Sequence, residues 1–191
     1  MSCKIYIFRH GQSVHNRDGI FSGWLDSPLT VKGKNDTKIV ALGLKNKKIG
    51  AAFHSSLSRS KDSLNEVLKF HPECHIVIED DRLLERSYGK LQGSSHYSFV
   101  QKNSFKKYTK IHRSYTQRPS GGESIKEVEK RVLSFVKDLS IFIKKNKTNV
   151  VISASNNSMR PLRRFFEKAS IKEMIEWEMP FDSYFEYSVE V

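Results

Sequence analysis

The sequence is poor in the residues that staple or punctuate a chain: 191 residues include 2 Cys, 5 Pro, 10 Gly and 2 Trp. Cys3 and Cys74 can form at most one disulfide, and neither belongs to a CxxC pair or a metal-ligand cluster. A disulfide scaffold and a zinc module are therefore excluded, and a reducing, cytoplasmic setting is expected. So little Gly and Pro also excludes collagen-like and low-complexity chains. No apolar run approaches the roughly 20 residues that cross a bilayer, and Ile5 to Phe8 is too short for the core of a signal peptide. Acidic residues are scarce as well, since 33 Lys+Arg against 21 Asp+Glu leave a net charge of +12. Such a balance draws anions toward the surface. The lysines are scattered along the chain, and no zinc-finger, basic-zipper or RNA-recognition pattern accompanies them, so no nucleic-acid partner is expected.

What is present reads as a folded α/β chain. Hydrophobic residues make up 38% and aromatics 11% of a length that suits one domain. Cys3 to Phe8 is a short run rich in Ile, Tyr and Phe, and predicts a buried strand that stops at Arg9-His10-Gly11. Thr30 to Leu44 predicts an amphipathic helix, Ala51 to His54 a second strand, Ser58 to Phe70 a helix and His75 to Ile78 a third strand. From Ser124 to Lys145, Ile125, Val128, Val132, Phe135, Val136, Leu139, Phe142 and Ile143 recur at three- and four-residue steps, the stripe of a core-facing helix. Val150-Val151-Ile152 then predicts a central parallel strand, followed by a helix beginning near Met159. The alternation implies a three-layer sandwich, a mainly parallel sheet with helices on both faces. Residues 93–122 are polar and weakly periodic and read as a partly helical lid inserted into a single domain of residues 1–191. Open sheets of this kind bind ligands at the carboxyl ends of their strands, so the loops after Phe8, His54 and Ile152 are the places to look for a site.

At the first of those loops, Arg9-His10-Gly11-Gln12-Ser13 brings together groups suited to an oxyanion. Imidazole can act as a nucleophile toward phosphorus, and guanidinium is a planar fork for two phosphate oxygens. On spacing alone the cluster fits equally a strand-end histidine bonded to a backbone carbonyl beside a surface arginine. Likewise Glu85-Arg86 fits a surface charge pair, and Tyr88 a packing residue.

Longer ordered motifs add weight. Arg9 to Ser13 with Asn16, then Phe21-Ser22-Gly23-Trp24-Leu25-Asp26-Ser27-Pro28-Leu29-Thr30, Ser56-Leu57-Ser58-Arg59 and Leu84 to Gly93 follow in order. Lys110 to Tyr115, Gly122-Glu123-Ser124, Asn157-Ser158-Met159-Arg160 and Met179-Pro180 continue the series. Together they resemble the cofactor-dependent phosphoglycerate mutases of the histidine phosphatase superfamily over essentially the whole chain. The resemblance implies interconversion of 3-phosphoglycerate and 2-phosphoglycerate, a step of glycolysis and gluconeogenesis, through a phosphohistidine at His10. It implies priming by 2,3-bisphosphoglycerate and no metal. Arg9, Arg59 and Asn16 would hold phosphate, Glu85 would act as acid or base, and Ser22, Gly23 and Asn157 would touch substrate. Arg86, Tyr88 and Arg113 would clamp its carboxylate. The same superfamily includes phosphatases, in which water takes the phosphoryl group of a small phosphomonoester, and oligomeric state stays open.

Four positions depart from the mutase pattern, among them Asn156, which stands where the family has a glycine. Ser155, in Ala154-Ser155-Asn156-Asn157-Ser158, stands where the family carries a second histidine. Serine can donate one hydrogen bond but carries no charge, and loss of such a donor costs roughly a hundredfold to a thousandfold in rate in comparable oxyanion sites. The departure leaves room for a slow enzyme or a catalytically impaired phosphate-binding protein. His112 replaces the first of two paired arginines, and His96 stands where a lysine is common. With ordinary histidine pKa values both would make substrate affinity fall as pH rises.

Overall fold

Residues 2–190 of the chain are described by a computed structural model. Five strands form one sheet in the order β3-β2-β4-β1-β5: β1 Ser2–Arg9, β2 Ala51–His54, β3 Ile76–Glu79, β4 Val150–Ala154 and β5 Tyr184–Glu190. The first four run parallel, with Ile5 opposite Val150 and Ala51 opposite both Val150 and Ile76. β5 pairs with β1 antiparallel, from Ser2 opposite Glu190 to Phe8 opposite Tyr184.

Strand alternation assigns each face its own core. Ile5, Ile7, Phe53, Val150 and Ile152 pack with Val128, Val132, Phe135, Val136, Leu139 and Ile143 of α6 (Ile125–Asn146), and with Met159 and Leu162 of α7 (Asn156–Glu167). Tyr6, Phe8, Ala52 and Val151 face the other way, onto Val40 and Leu44 of α2 (Val31–Leu44) and Leu64 and Val67 of α3 (Ser58–Leu68). These are the two helical layers implied by the sequence. The short helices α1 (Val14–Arg17) and α8 (Ile171–Glu176) fill the connections after β1 and before β5. The stretch 93–122 carries α4 (His96–Lys102) and α5 (Phe105–Arg113), started by the side chains of Ser95 and Ser104, which accept from the N–H groups of Ser98 and Lys107. Its weak periodicity has a physical source, since none of the residues of α5 is fully buried.

Two helix boundaries differ from expectation by two residues or more. α7 starts at Asn156, two residues after the end of β4 and three before Met159, because Ser158 Oγ accepts the N–H of Ser155 at 3.1 Å and closes the first turn. α3 ends at Leu68, before Phe70. No helix among the described residues is long and apolar enough to cross a membrane.

Candidate active site

Loops at the carboxyl ends of β1, β2 and β4 converge on a cavity of about 290 Å³. β1 delivers Arg9 and His10, and His10 N–H donates to Ala154 O at 3.1 Å, which ties the ends of β1 and β4 together. Gly11 is required by close approach: a Cβ there would lie 2.1 Å from Gly33 O, so any side chain would push the β1 loop off α2. The imidazole of His10 is buried, with Nδ1 2.8 Å from Gly11 O. A carbonyl only accepts, so Nδ1 carries the proton and Nε2 keeps its lone pair. Burial, Arg59 and Arg9 together hold the His10 pKa well below the ordinary histidine value. The ring is therefore a neutral base with an available nitrogen.

Two guanidiniums flank it. Arg9 donates to Met179 O at 2.8 Å, lies over the ring of Phe181 at 3.8 Å, and has a buried Nε with no hydrogen-bond partner among the described residues. Burial lowers its pKa to about 10, against the opposing pull of Glu85 and Glu178, so it stays charged at neutral pH. Arg59, in the first turn of α3, donates to Gly23 O and Leu25 O, both at 2.9 Å. It thereby shapes the loop that places Ser22 and Gly23 on the cavity. Asp26 completes that loop by accepting the N–H of Ser58 at 3.1 Å, which caps α3.

Glu85 lies opposite on the wall. Its Oε1 accepts from the N–H groups of Arg86 at 2.7 Å and Asn157 at 3.2 Å, while its own carbonyl receives Trp24 Nε1 at 2.9 Å and Arg131 at 3.0 Å. The carboxyl is held by two N–H groups and its backbone by two more donors, which fixes the residue in place. Asn16 spends Oδ1 on Ser13 N–H at 3.1 Å, which leaves its amide nitrogen for the cavity. Asn156 and Asn157 bring the first turn of α7 to the wall, where helix polarity favours an anion. Tyr88, His96 and His112 line the cavity as well, packed in one aromatic group in which His112 stacks on Tyr88 and Tyr108 while Phe21 lies tilted against Tyr88 and His96.

A strand-end histidine with an available nitrogen, two arginines and one fixed carboxyl have the chemistry that phosphoryl transfer uses. The model of the histidine phosphatase superfamily (branch 1) matches residues 5–189. The chain belongs to this superfamily. It is 34% identical over 166 residues to a 2,3-bisphosphoglycerate-dependent phosphoglycerate mutase of Cytophaga hutchinsonii, covering 87% of this chain and 78% of that protein. To a protein of the same name from Mesorhizobium japonicum it is 32% identical over 183 residues, 94% and 88% of the two chains. Among solved structures, a mycobacterial glucosyl-3-phosphoglycerate phosphatase superposes with a TM-score of 0.83 at 22% identity, covering 98% of this chain and 91% of that one. A phosphoglycerate mutase of Bacillus anthracis gives 0.78 at 20%, with 98% and 92% covered. These superpositions show the fold of the superfamily.

Of the expected site residues, His10, Arg9, Arg59, Glu85, Asn16, Ser22, Gly23, Tyr88, His96, His112 and Asn157 line the cavity. Arg86 does not, and its expected contact with substrate is corrected. The guanidinium is fully buried and donates to the carbonyls of Glu123 at 2.6 Å, Ile111 at 2.8 Å and Gln117 at 3.0 Å. It ties the Glu85 segment to the 93–122 stretch. Arg113 is turned to Ile175 O at 2.9 Å and to the carboxylate of Glu178, and is likewise off the cavity wall. Ser155 is buried behind the wall, with Oγ lacking a hydrogen-bond partner among the described residues.

The histidine titrations also differ from expectation. Burial, then His96 and nearby arginines, push His112 down to about 3, and burial lowers His96. His112 is thus uncharged at neutral pH in the free protein, so the expected fall of affinity from its deprotonation near neutrality does not arise. Sequence reasoning missed His15, Gly19, Ile20, Glu178 and Phe181, which line the cavity as well. Asn156, beside Ser155 and a candidate to replace the lost donor, lines the cavity too.

Proposed function

We propose that this chain transfers phosphoryl groups through His10 and acts on phosphoglycerates as a mutase. The observation that carries the reading is the buried His10, with Nδ1 committed to Gly11 O and both arginines beside it. The 2,3-bisphosphoglycerate-dependent names of the relatives at 32–34% identity support the substrate class.

The lone pair of His10 Nε2 attacks phosphorus, the bond from phosphorus to the leaving oxygen breaks, and Glu85 gives that oxygen a proton. Arg9 and Arg59 hold the equatorial oxygens as charge spreads over them. In the return step Glu85 takes the proton of the attacking hydroxyl as its oxygen bonds to phosphorus and the bond from phosphorus to Nε2 breaks. The unpartnered Nε of Arg9 fits a phosphoryl oxygen, and Arg9, Arg59 and Asn16 would hold a phosphate of 2,3-bisphosphoglycerate. When bound, that compound supplies the first phosphoryl group.

A second reading, hydrolysis of a small phosphomonoester, is favoured by one observation: Arg86 and Arg113 both make their contacts away from the cavity. Phosphorus NMR of the protein with 3-phosphoglycerate and a trace of 2,3-bisphosphoglycerate, beside a His10→Ala control, separates the two. Growth of 2-phosphoglycerate supports the mutase, and growth of inorganic phosphate supports the phosphatase. An unchanged spectrum leaves a phosphate-binding protein.

A further inference from the structure

Two carboxyl side chains line the cavity, and they are held in opposite ways. Glu85 is fixed by two backbone N–H groups. Glu178, which follows α8, reaches the wall on an exposed side chain and, among the described residues, hydrogen-bonds to one group only, the guanidinium of Arg113 at the end of α5. Since Glu178 lines the cavity and Arg113 does not, the carboxylate is the cavity-facing member of the pair.

A second guanidinium faces the same oxygen. Arg160 in α7 gives Nε to Trp177 O at 2.8 Å and Nη1 to Asn157 Oδ1 at 2.9 Å. Its Nη2 is buried, has no hydrogen-bond partner among the described residues, and stands 4.0 Å from Glu178 Oε1. That is too far for a hydrogen bond. A carboxylate seated slightly deeper would serve Arg113 and Arg160 together.

We propose that Glu178 is a specificity-determining residue: its carboxylate holds Arg113 in the free protein and gives way to a carboxylate on the substrate. The inference rests on the phosphoglycerate reading above. Exchange is cheap because an exposed ion pair contributes little and the incoming carboxylate replaces it in kind. Arg9 and Arg59 on the wall are matched in number by Glu85 and Glu178. Departure of Glu178 therefore leaves an excess of positive charge as a multiply charged anion enters. A phosphomonoester without a carboxylate recovers neither contact.

The test compares 3-phosphoglycerate with glycerol 3-phosphate, which differ in having a carboxylate or a hydroxymethyl group at one end. Calorimetric Kd values are measured for both ligands with the unaltered protein, Glu178→Gln, and Glu178→Gln with Arg113→Gln. Glu178→Gln is expected to tighten 3-phosphoglycerate by about tenfold more than glycerol 3-phosphate, the scale of one charge-assisted hydrogen bond. Adding Arg113→Gln should remove that difference. Equal tightening of both ligands would mean that Glu178 only repels anions, and would overturn the proposal, as would no change in either. Turnover is scored separately by phosphorus NMR. A selective gain without conversion rejects the mutase reading and leaves the role of Glu178; conversion with equal gains does the reverse.

Discussion

Arg86 Nη1 donates to Ile111 O at 2.8 Å, so the residue next to the candidate acid is a buried strut between its own segment and α5. A charge with no water around it is tolerated only while its donors are satisfied. All three nitrogens of Arg86 meet carbonyls.

Arg86→Lys keeps the charge but loses the fork, leaving carbonyls of the 93–122 stretch unpaired. The substitution should cost about 3 kcal/mol of stability. Urea unfolding of the two proteins measures this directly. A residue that only contacted substrate would instead raise KM with the unfolding midpoint unchanged.

Stability should also fall in acid through His112. Unfolded, the ring takes a proton near the ordinary histidine value of about 6.5. Folded, burial and its basic neighbours hold the pKa at about 3. Between those values the unfolded chain binds the extra proton, so the contribution is complete above about pH 6.5 and is lost progressively toward pH 3. The slope from one such group is at most about 1.4 kcal/mol per pH unit. His112→Asn removes the titrating group, and its urea midpoint should depend less steeply on pH between about 7.5 and 5 than that of the unaltered protein. Equal slopes would show that His112 does not titrate between the two states.

At Ser155, where the family resemblance implies a second histidine, the hydroxyl has no hydrogen-bond partner among the described residues. Ser155→His should restore a donor toward the transferring phosphoryl oxygens and raise kcat by roughly a hundredfold, with KM moved far less. Steady-state kinetics separate the two parameters. An unaltered kcat would show that other groups, such as Asn156 on the cavity wall, already fill the role.

Much of this architecture was legible because the information is local. The apolar runs at Ile5 to Phe8, Ala51 to His54 and Val150 to Ile152 mark strands buried on both faces, and the stripe of α6 marks its core side. β5 was not legible as an antiparallel partner. At the sheet edge none of its residues is fully buried, and Tyr184 to Glu190 mixes aromatic and charged residues instead of presenting an apolar run. In the site, His10, Arg9, Arg59 and Glu85 follow from motifs in the chain. Arg86 escaped because its acceptors are carbonyls 25 to 37 residues away. Glu178 and Phe181 escaped for the same reason: the chain after α8 folds back against Arg113 and Arg9.

The central claim is that phosphoryl groups pass through His10. Incubation with 2,3-bisphosphoglycerate labelled with radioactive phosphorus, followed by rapid quench and peptide mapping, tests it directly. The account predicts an acid-labile, base-stable label on the peptide carrying His10, discharged by added 3-phosphoglycerate and absent from His10→Ala. A label on another residue, or turnover that survives in His10→Ala, would contradict it.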